Sequence, residues 1–365
     1  MILDDDWQRL GRWHAEHDDL SSAEYLARYR ALLGRSMDRQ AKIYLDTMVW
    51  VWLRDAVLGK GKPEHVALLE CLREIVRRRK GICVSHFHSL MEVGRQTEPS
   101  LRVTATLLQE LTEGVALVSP DELHAWECAQ FVHEVIGSPA PPKYEKWTTV
   151  GFAHRSSFAR DLLPADAPER VVERTFKMAT DHFWNATFEE IFEAFSWDTK
   201  SKLSFAIDAD VIDNLEKIRK ANRANGLTFK DARTPEFIDC IDQQLMPLFQ
   251  DVLARYDLLT EQNLLQVLEA ASLGFHNDTL GRSLGLSRLL VEPYVLMVTA
   301  DKPLTGNDYI DWAHAGAALP NCDVFVTESF LAHQLTKVLR ADKIYGCDVV
   351  TGAAATTKLL TDRFL

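Results

Sequence analysis

The residues with the clearest chemical potential are acids set at the ends of short apolar runs. Near the C-terminus, Asn307 to Phe330 reads NDYIDWAHAGAALPNCDVFVTESF. Asp308, Asp311 and Ala315 fall on one face of a predicted helix, because residues three and four apart are neighbours. Pro320 and Asn321 break that helix. Val324, Phe325 and Val326 follow as an apolar run of the kind a buried parallel strand shows. Asp323 stands just before this run, and Thr327, Glu328 and Ser329 stand just after it. Two distant runs are built alike. KIYLDTMVWVWL (42–53) ends an apolar strand in Asp46, and ICVSHFHSLMEVGRQ (82–96) places Glu92 on the helix after another. Sites in open α/β sheets lie outside the carboxyl ends of the strands. Acids from three separate runs could therefore meet in one crevice, where hard oxygen donors suit Mg²⁺ or Mn²⁺ rather than zinc.

The elements that must position these acids alternate along the chain. Strands are predicted near 42–46, 82–84 and 115–118, with helices at 47–58, 64–79, 87–96, 101–112 and 122–135. Such alternation predicts a parallel sheet with helices on its faces. Residues 1–40 read as two amphipathic helices, an extra layer on the main domain or else an oligomerisation or partner arm, the second capped by Ser21 or Ser22 and ended by Gly34. After the GSPAPP run at 137–142, helical periodicity persists with almost no strand signal. Helices are expected from about 166 to 195 and at 206–224, 235–256, 261–273 and 280–299. A last strand falls at 343–345 or 347–350. The expected organisation is an N-terminal helical extension (1–40), a first part of an α/β domain (41–136), an all-helical insertion (137–305) and a second part of the same domain (306–365).

The chain has 365 residues, 47% hydrophobic and 26% charged, an ordinary globular composition long enough for two structural units. No apolar run approaches the ~20 residues that span a membrane. The start, MILDDDWQRLGRW, is acidic and polar rather than a secretory signal, so a cytoplasmic protein is expected. Six cysteines lie outside any CxxC pair and read as buried free thiols. The net charge of -12 argues against a protein that coats nucleic acid through a broad basic field. No phosphate-binding GxxxxGK[ST] loop or GxGxxG fingerprint is present. An aspartyl-nucleophile phosphatase would need a second Asp at position 48, where Met48 stands.

The three acidic runs resemble the PIN domain, a metal-dependent nuclease fold. The resemblance covers roughly residues 41–125 and 305–350 and rests on Asp46-Thr47, Glu92, Asp311 and the VTES run at 326–329. His314 and Asp323 match a subgroup with a His three residues after the helix Asp and an Asp before the last strand. Two positions depart from the family pattern. DTM stands where the family has DTN, and Ser329 occupies the usual last acidic position, one residue after Glu328. The resemblance implies Asp46, Glu92 and Asp311 as catalytic metal ligands, with Glu328, Asp308 and Asp323 as further candidates. It implies Mg²⁺- or Mn²⁺-dependent hydrolysis of phosphodiester bonds, in RNA before DNA. Carboxylates that hold such ions while leaving water positions open meet the needs of that reaction. Plainer roles compete at several positions. Asp308 could be an N-cap, Asp323 could hold a loop, His314 could be an oriented packing group, and Glu92 outside the family pattern could be a surface acid. His86 and His88, two apart on a helix, would not share a face, which argues against a zinc pair.

Any grip on substrate must come from local basic patches. KIRKANRANGLTFKDAR (217–233) is the most basic window, and Lys217, Arg219, Lys220 and Arg223 are its candidate substrate contacts. A second window mixes Lys143, Lys146, His154, Arg155 and Arg160 with Tyr144, Trp147 and Phe152. Basic groups among aromatics suit single-stranded RNA, against the plainer reading of a solvated helix face and a loop. The helical insertion could instead present a surface to a protein partner. The alternative to an enzyme is a PIN-fold binding or scaffolding protein that has lost catalysis.

Overall fold

Four parallel strands build the central sheet of the computed structural model, in the order β2-β1-β5-β6. They are β1 (Ala41–Leu45), β2 (Gly81–Val84), β5 (Val324–Val326) and β6 (Asp348–Val350), while β3 (Val115–Leu117) and β4 (Trp147–Thr149) pair antiparallel beside them. A parallel bridge from Ser85 to Ala116 joins the two sheets. The structure describes residues 5–16, 19–139, 145–153, 163–164, 166–194, 209–299 and 306–365.

The strands are apolar throughout because helices cover both faces of the sheet. Side chains alternate between faces with period two. Ile43, Leu45, Cys83, Val324 and Val326 enter one core, and Tyr44, Ile82, Val84 and Phe325 enter the other. The N-terminal helices α1 (Asp5–Glu16) and α2 (Ser22–Met37) form an outer layer. Helix α2 starts with a Ser21–Glu24 capping box and runs through Gly34, where a Cβ would overlap the Glu145 carboxylate. The expected stop at Gly34 is thus a close approach rather than a helix end. Next come α3 (Thr47–Val57), α4 (Pro63–Arg77), α5 (Phe87–Val93) and α6 (Ser100–Thr112). Helices α3, α4 and α6 supply Trp50, Leu53, Leu68, Leu72 and Leu108 to the first core.

Helix α7 (Pro120–Ile136) turns away from the sheet. It joins a separate helical core with α11 (Phe229–Cys240), α12 (Met246–Arg255), α13 (Glu261–His276) and α14 (Gly285–Thr299), centred on Phe131, Phe237, Phe249, Phe275 and Val295. Before α11 lie α8 (Glu169–Phe183), α9 (Phe188–Ala194) and α10 (Ala209–Ala224). Helix α8 carries Asp181, which accepts from Tyr25 and Tyr29 hydroxyls at 2.7 and 2.9 Å, so the N-terminal layer is tied to it. Helix α9 packs Phe188, Ile191 and Phe192 into the sheet's first core. The packing boundary therefore does not follow the sequence boundary at 137: α7 sides with the later helices, and β4 and α9 side with the sheet. The predicted helix over 235–256 is present, starting earlier at Phe229 and widening into one π-helical turn at Ile241–Leu245 between α11 and α12.

The chain then returns to the sheet through α15 (Gly306–Ala318), β5, α16 (Ser329–His333), α17 (Ala341–Tyr345), β6 and α18 (Ala353–Phe364). The last strand takes the second of its two predicted positions. All six cysteines are buried and free. Among the described residues, no helix is long and apolar enough to cross a membrane.

Candidate metal centre

Asp46 follows the last residue of β1 and precedes α3. Its backbone N–H donates to Val326 O at 3.0 Å, which ties it to the end of β5. It occupies the N-cap position of α3 but makes no side-chain capping bond, so its carboxylate is left for another role. Thr327, one residue past β5, donates its hydroxyl to Asp46 Oδ2 at 2.7 Å. The Asp46 side chain is nearly buried, at 4% exposure.

Glu92, on α5, reaches the same point. Its Oε2 accepts from the Thr47 hydroxyl and lies 2.8 Å from His314 Nε2. Asp46, Glu92 and His314 each present a ligand atom within 4.8 Å of the others, a group that could hold a metal ion. Asp311 lies three residues before His314, on the same face of α15. It stands outside this tight trio, yet its charge is coupled to it. Burial pushes the Asp311 carboxyl up to about 7, helped by the neighbouring charges of Asp46, Glu328 and Glu92. Glu328 precedes α16 and so joins the same acidic field. Burial alone would raise the Glu92 carboxyl, but the His314 contact and the Thr47 hydroxyl outweigh it and hold it low. His314 moves the other way. Burial would lower it, and bonding to Glu92 with the fields of Asp46 and Asp311 raises it.

Among the described residues, none of Asp46, Glu92, Asp311 and Glu328 forms an ion pair with lysine or arginine. Like charges gathered without a lysine or arginine, one of them nearly buried, are costly unless a cation joins them. The donor set is oxygen-rich, as a hard divalent ion requires.

The remaining candidates lie elsewhere. Asp323 sits at the opposite, N-terminal end of β5. Its Oδ2 accepts from Lys42 N–H at 2.8 Å, and its backbone bonds to Lys42 and Asp348. It clamps strand starts and is no ligand of this centre. The side chain of Asp308 lies outside the described residues, as do Lys143, Tyr144, His154, Arg155 and Arg160 of the second basic window. In that window Trp147 and Phe152 are core residues, at 6% and 3% exposure, so they offer no stacking platform. In the first window Arg219 is buried against Glu216, bonded at 2.7 and 2.5 Å, and is withdrawn from any substrate. Lys217, Lys220 and Arg223 are exposed on α10. Arg233 is tied to Asp278 and Glu292 over the Phe275 ring. Asn222 on α10 donates to Val298 O at 3.3 Å, near the end of α14, and α14 packs on α15, which carries Asp311.

Sequence reasoning misses two residues that stand behind the acids, Tyr44 and Ser89, and names Thr47 only as part of the Asp46-Thr47 motif, without its bond to Glu92. A Tyr inside an apolar strand is a usable signal, because a buried phenol hydroxyl usually has a hydrogen-bonding partner. His86 and His88 also differ from expectation. His86 is extended, at the N-cap of α5 rather than on the helix, and its Nδ1 lies 3.3 Å from His88 Nδ1. Helical spacing does not apply to the pair, because only one of the two is helical. Burial depresses both, with the His314 charge adding to the effect, and His88 falls to about 4.

The chain matches no family model, no curated protein and no solved structure.

Proposed function

We propose that the chain is a PIN-like, Mg²⁺- or Mn²⁺-dependent nuclease that hydrolyses phosphodiester bonds, in RNA before DNA, with residues 137–305 inserted in the nuclease domain. The observation that carries this reading is the set of acids without Lys or Arg partners where the C-terminal ends of β1 and β5 meet α5 and α15. Asp46 and Glu92 would hold the ion, with Asp311 and Glu328 completing the acidic field. A bound divalent cation supplies charge against the phosphate oxygens and lowers the pKa of an attacking water. Thr327 orients Asp46, and Thr47 with His314 orients Glu92. The acids exclude phosphate until they are neutralised, so approach of substrate depends on cations elsewhere, with Lys217, Lys220 and Arg223 as candidates.

Asp46→Asn tests the proposal. It removes charge with little change of shape, so Mn²⁺-dependent cleavage of single-stranded RNA should fall to background while thermal unfolding stays cooperative. Retained cleavage by a clean preparation would reject the mechanism. The scaffold reading, motivated by Met48 and Ser329, would be favoured by an inactive wild type on both RNA and DNA with either metal.

A further inference from the structure

Behind the acids runs a file of hydrogen bonds whose direction matters. Ser89 Oγ lies 2.9 Å from the Tyr44 hydroxyl. That hydroxyl lies 2.7 Å from His314 Nδ1, and His314 Nε2 lies 2.8 Å from Glu92 Oε2. Tyr44 and His314 are 0% exposed and Ser89 is 1% exposed, so water supplies no alternative partners. Hydrogens must therefore be accounted for within the file.

Run from Ser89 inward, the account closes. Ser89 donates to Tyr44, Tyr44 donates to Nδ1, and the ring hydrogen sits on Nε2, aimed at Glu92 Oε2. Every hydrogen has an acceptor. Run outward, it does not close. Tyr44 would give its hydrogen to Ser89, whose own hydrogen then meets no acceptor among the described residues. In a neutral ring Nε2 would then turn a lone pair on the Glu92 oxygen at 2.8 Å, and a doubly protonated ring would still donate from Nε2. The Thr47 hydroxyl also donates to this same Oε2. One oxygen of Glu92 is thus held by two donors, and Oε1 is left for a cation.

We propose that Ser89, Tyr44 and His314 form a positioning relay that fixes Glu92, and that His314 serves this centre as a hydrogen-bond donor rather than as a metal ligand. The centre is then oxygen-only in its protein donors. This rests on reading the acids as a cation site.

The test is Mn²⁺ binding by the full chain, without substrate. Tyr44→Phe keeps the ring and removes the link between Ser89 and His314, and should weaken Mn²⁺ about 10-fold, the lower range for partners that orient metal ligands. His314→Gln, whose amide can still donate to Glu92, should bind Mn²⁺ more tightly than His314→Ala. The spin-echo spectrum of bound Mn²⁺ should lack the deep modulation of a directly bound nitrogen. That modulation, or unchanged affinity in both Tyr44→Phe and His314→Ala, would overturn the relay. No Mn²⁺ binding by the wild-type chain would overturn the cation site itself, and the relay with it.

Discussion

Asp46 and Asp323 flank the same pair of neighbouring strands and have opposite environments. Asp323, before β5, accepts a backbone N–H from Lys42. Around that lower edge lie Lys42, Lys146, Cys322 and Glu127, and the charges there are of mixed sign. Lys42 gives its ammonium to the Met37 and Gln40 carbonyls at 2.8 and 2.7 Å, and burial pushes the Cys322 thiol up to about 12. Asp46, after β1, accepts a hydroxyl from Thr327 and faces further acids. One edge of the sheet is electrostatically closed and the other is held open. An acid beside a strand is therefore informative only when its end of the strand is known.

Substitution of the two aspartates should separate their roles. Asp46→Asn should abolish cleavage with the fold retained. Asp323→Ala should do the reverse, keeping cleavage per folded molecule while lowering unfolding free energy by about 1–3 kcal/mol, because the Lys42 N–H loses its acceptor. Loss of cleavage in a well-folded Asp323→Ala protein would erase the distinction between the edges.

A more modest change is expected at Asp311. It is held among like charges, so Asp311→Asn should stabilise the metal-free protein at pH 8 by about 1 kcal/mol after solvent screening. A lower melting temperature for this variant would mean that Asp311 has a partner the acidic field does not account for.

The lower edge should respond to pH through Glu127. Burial pushes its carboxyl up to about 7, while Leu286 N–H, donating at 2.8 Å, pulls the other way. A raised folded-state pKa means that the native chain keeps a proton the unfolded chain loses. Its stabilising contribution is full below about 4.5 and is lost as pH rises through about 7. Glu127→Gln should therefore flatten the fall in melting temperature between pH 5 and 8. An unaltered slope would place that pH dependence elsewhere.

The weakest expected response concerns substrate. Reversing Lys217, Lys220 and Arg223 to Glu should reduce the salt dependence of RNA binding by ~0.7 in slope for each phosphate left without its cation. Cleavage at saturating RNA should change less. An unchanged slope would leave α10 as a solvated face.

The parallel sheet is legible in the sequence because its strands are short apolar runs separated by helical periodicity. Asp46 is legible because a lone acid ends such a run. Glu92 is not, since one acid on a seven-residue helix resembles any surface acid, and only the family resemblance singles it out. Asp323 misleads through its proximity in sequence to β5. Its position before the strand puts it at the N-terminal end, opposite the crevice. Arg219 misleads because composition records a charge without its burial against Glu216. Strand β4 escapes because Trp147, Thr148 and Thr149 do not make the apolar run that marks β3 and β5.

The bond from Thr327 to Asp46 joins residues 281 apart, and that from His314 to Glu92 joins residues 222 apart. During synthesis such bonds form late. A ribosome that has translated as far as Thr299 has made Asp46, Glu92 and the whole helical core, but neither His314 nor Thr327. Domains form as their residues emerge, so the helical core can be complete while the centre does not yet exist. On the proposed reading, activity would switch on only once Thr327 has left the ribosome, and prematurely terminated chains would be inert. A chain stopped after Thr299 should accordingly bind no Mn²⁺, and binding by that fragment would show that the early acids suffice alone.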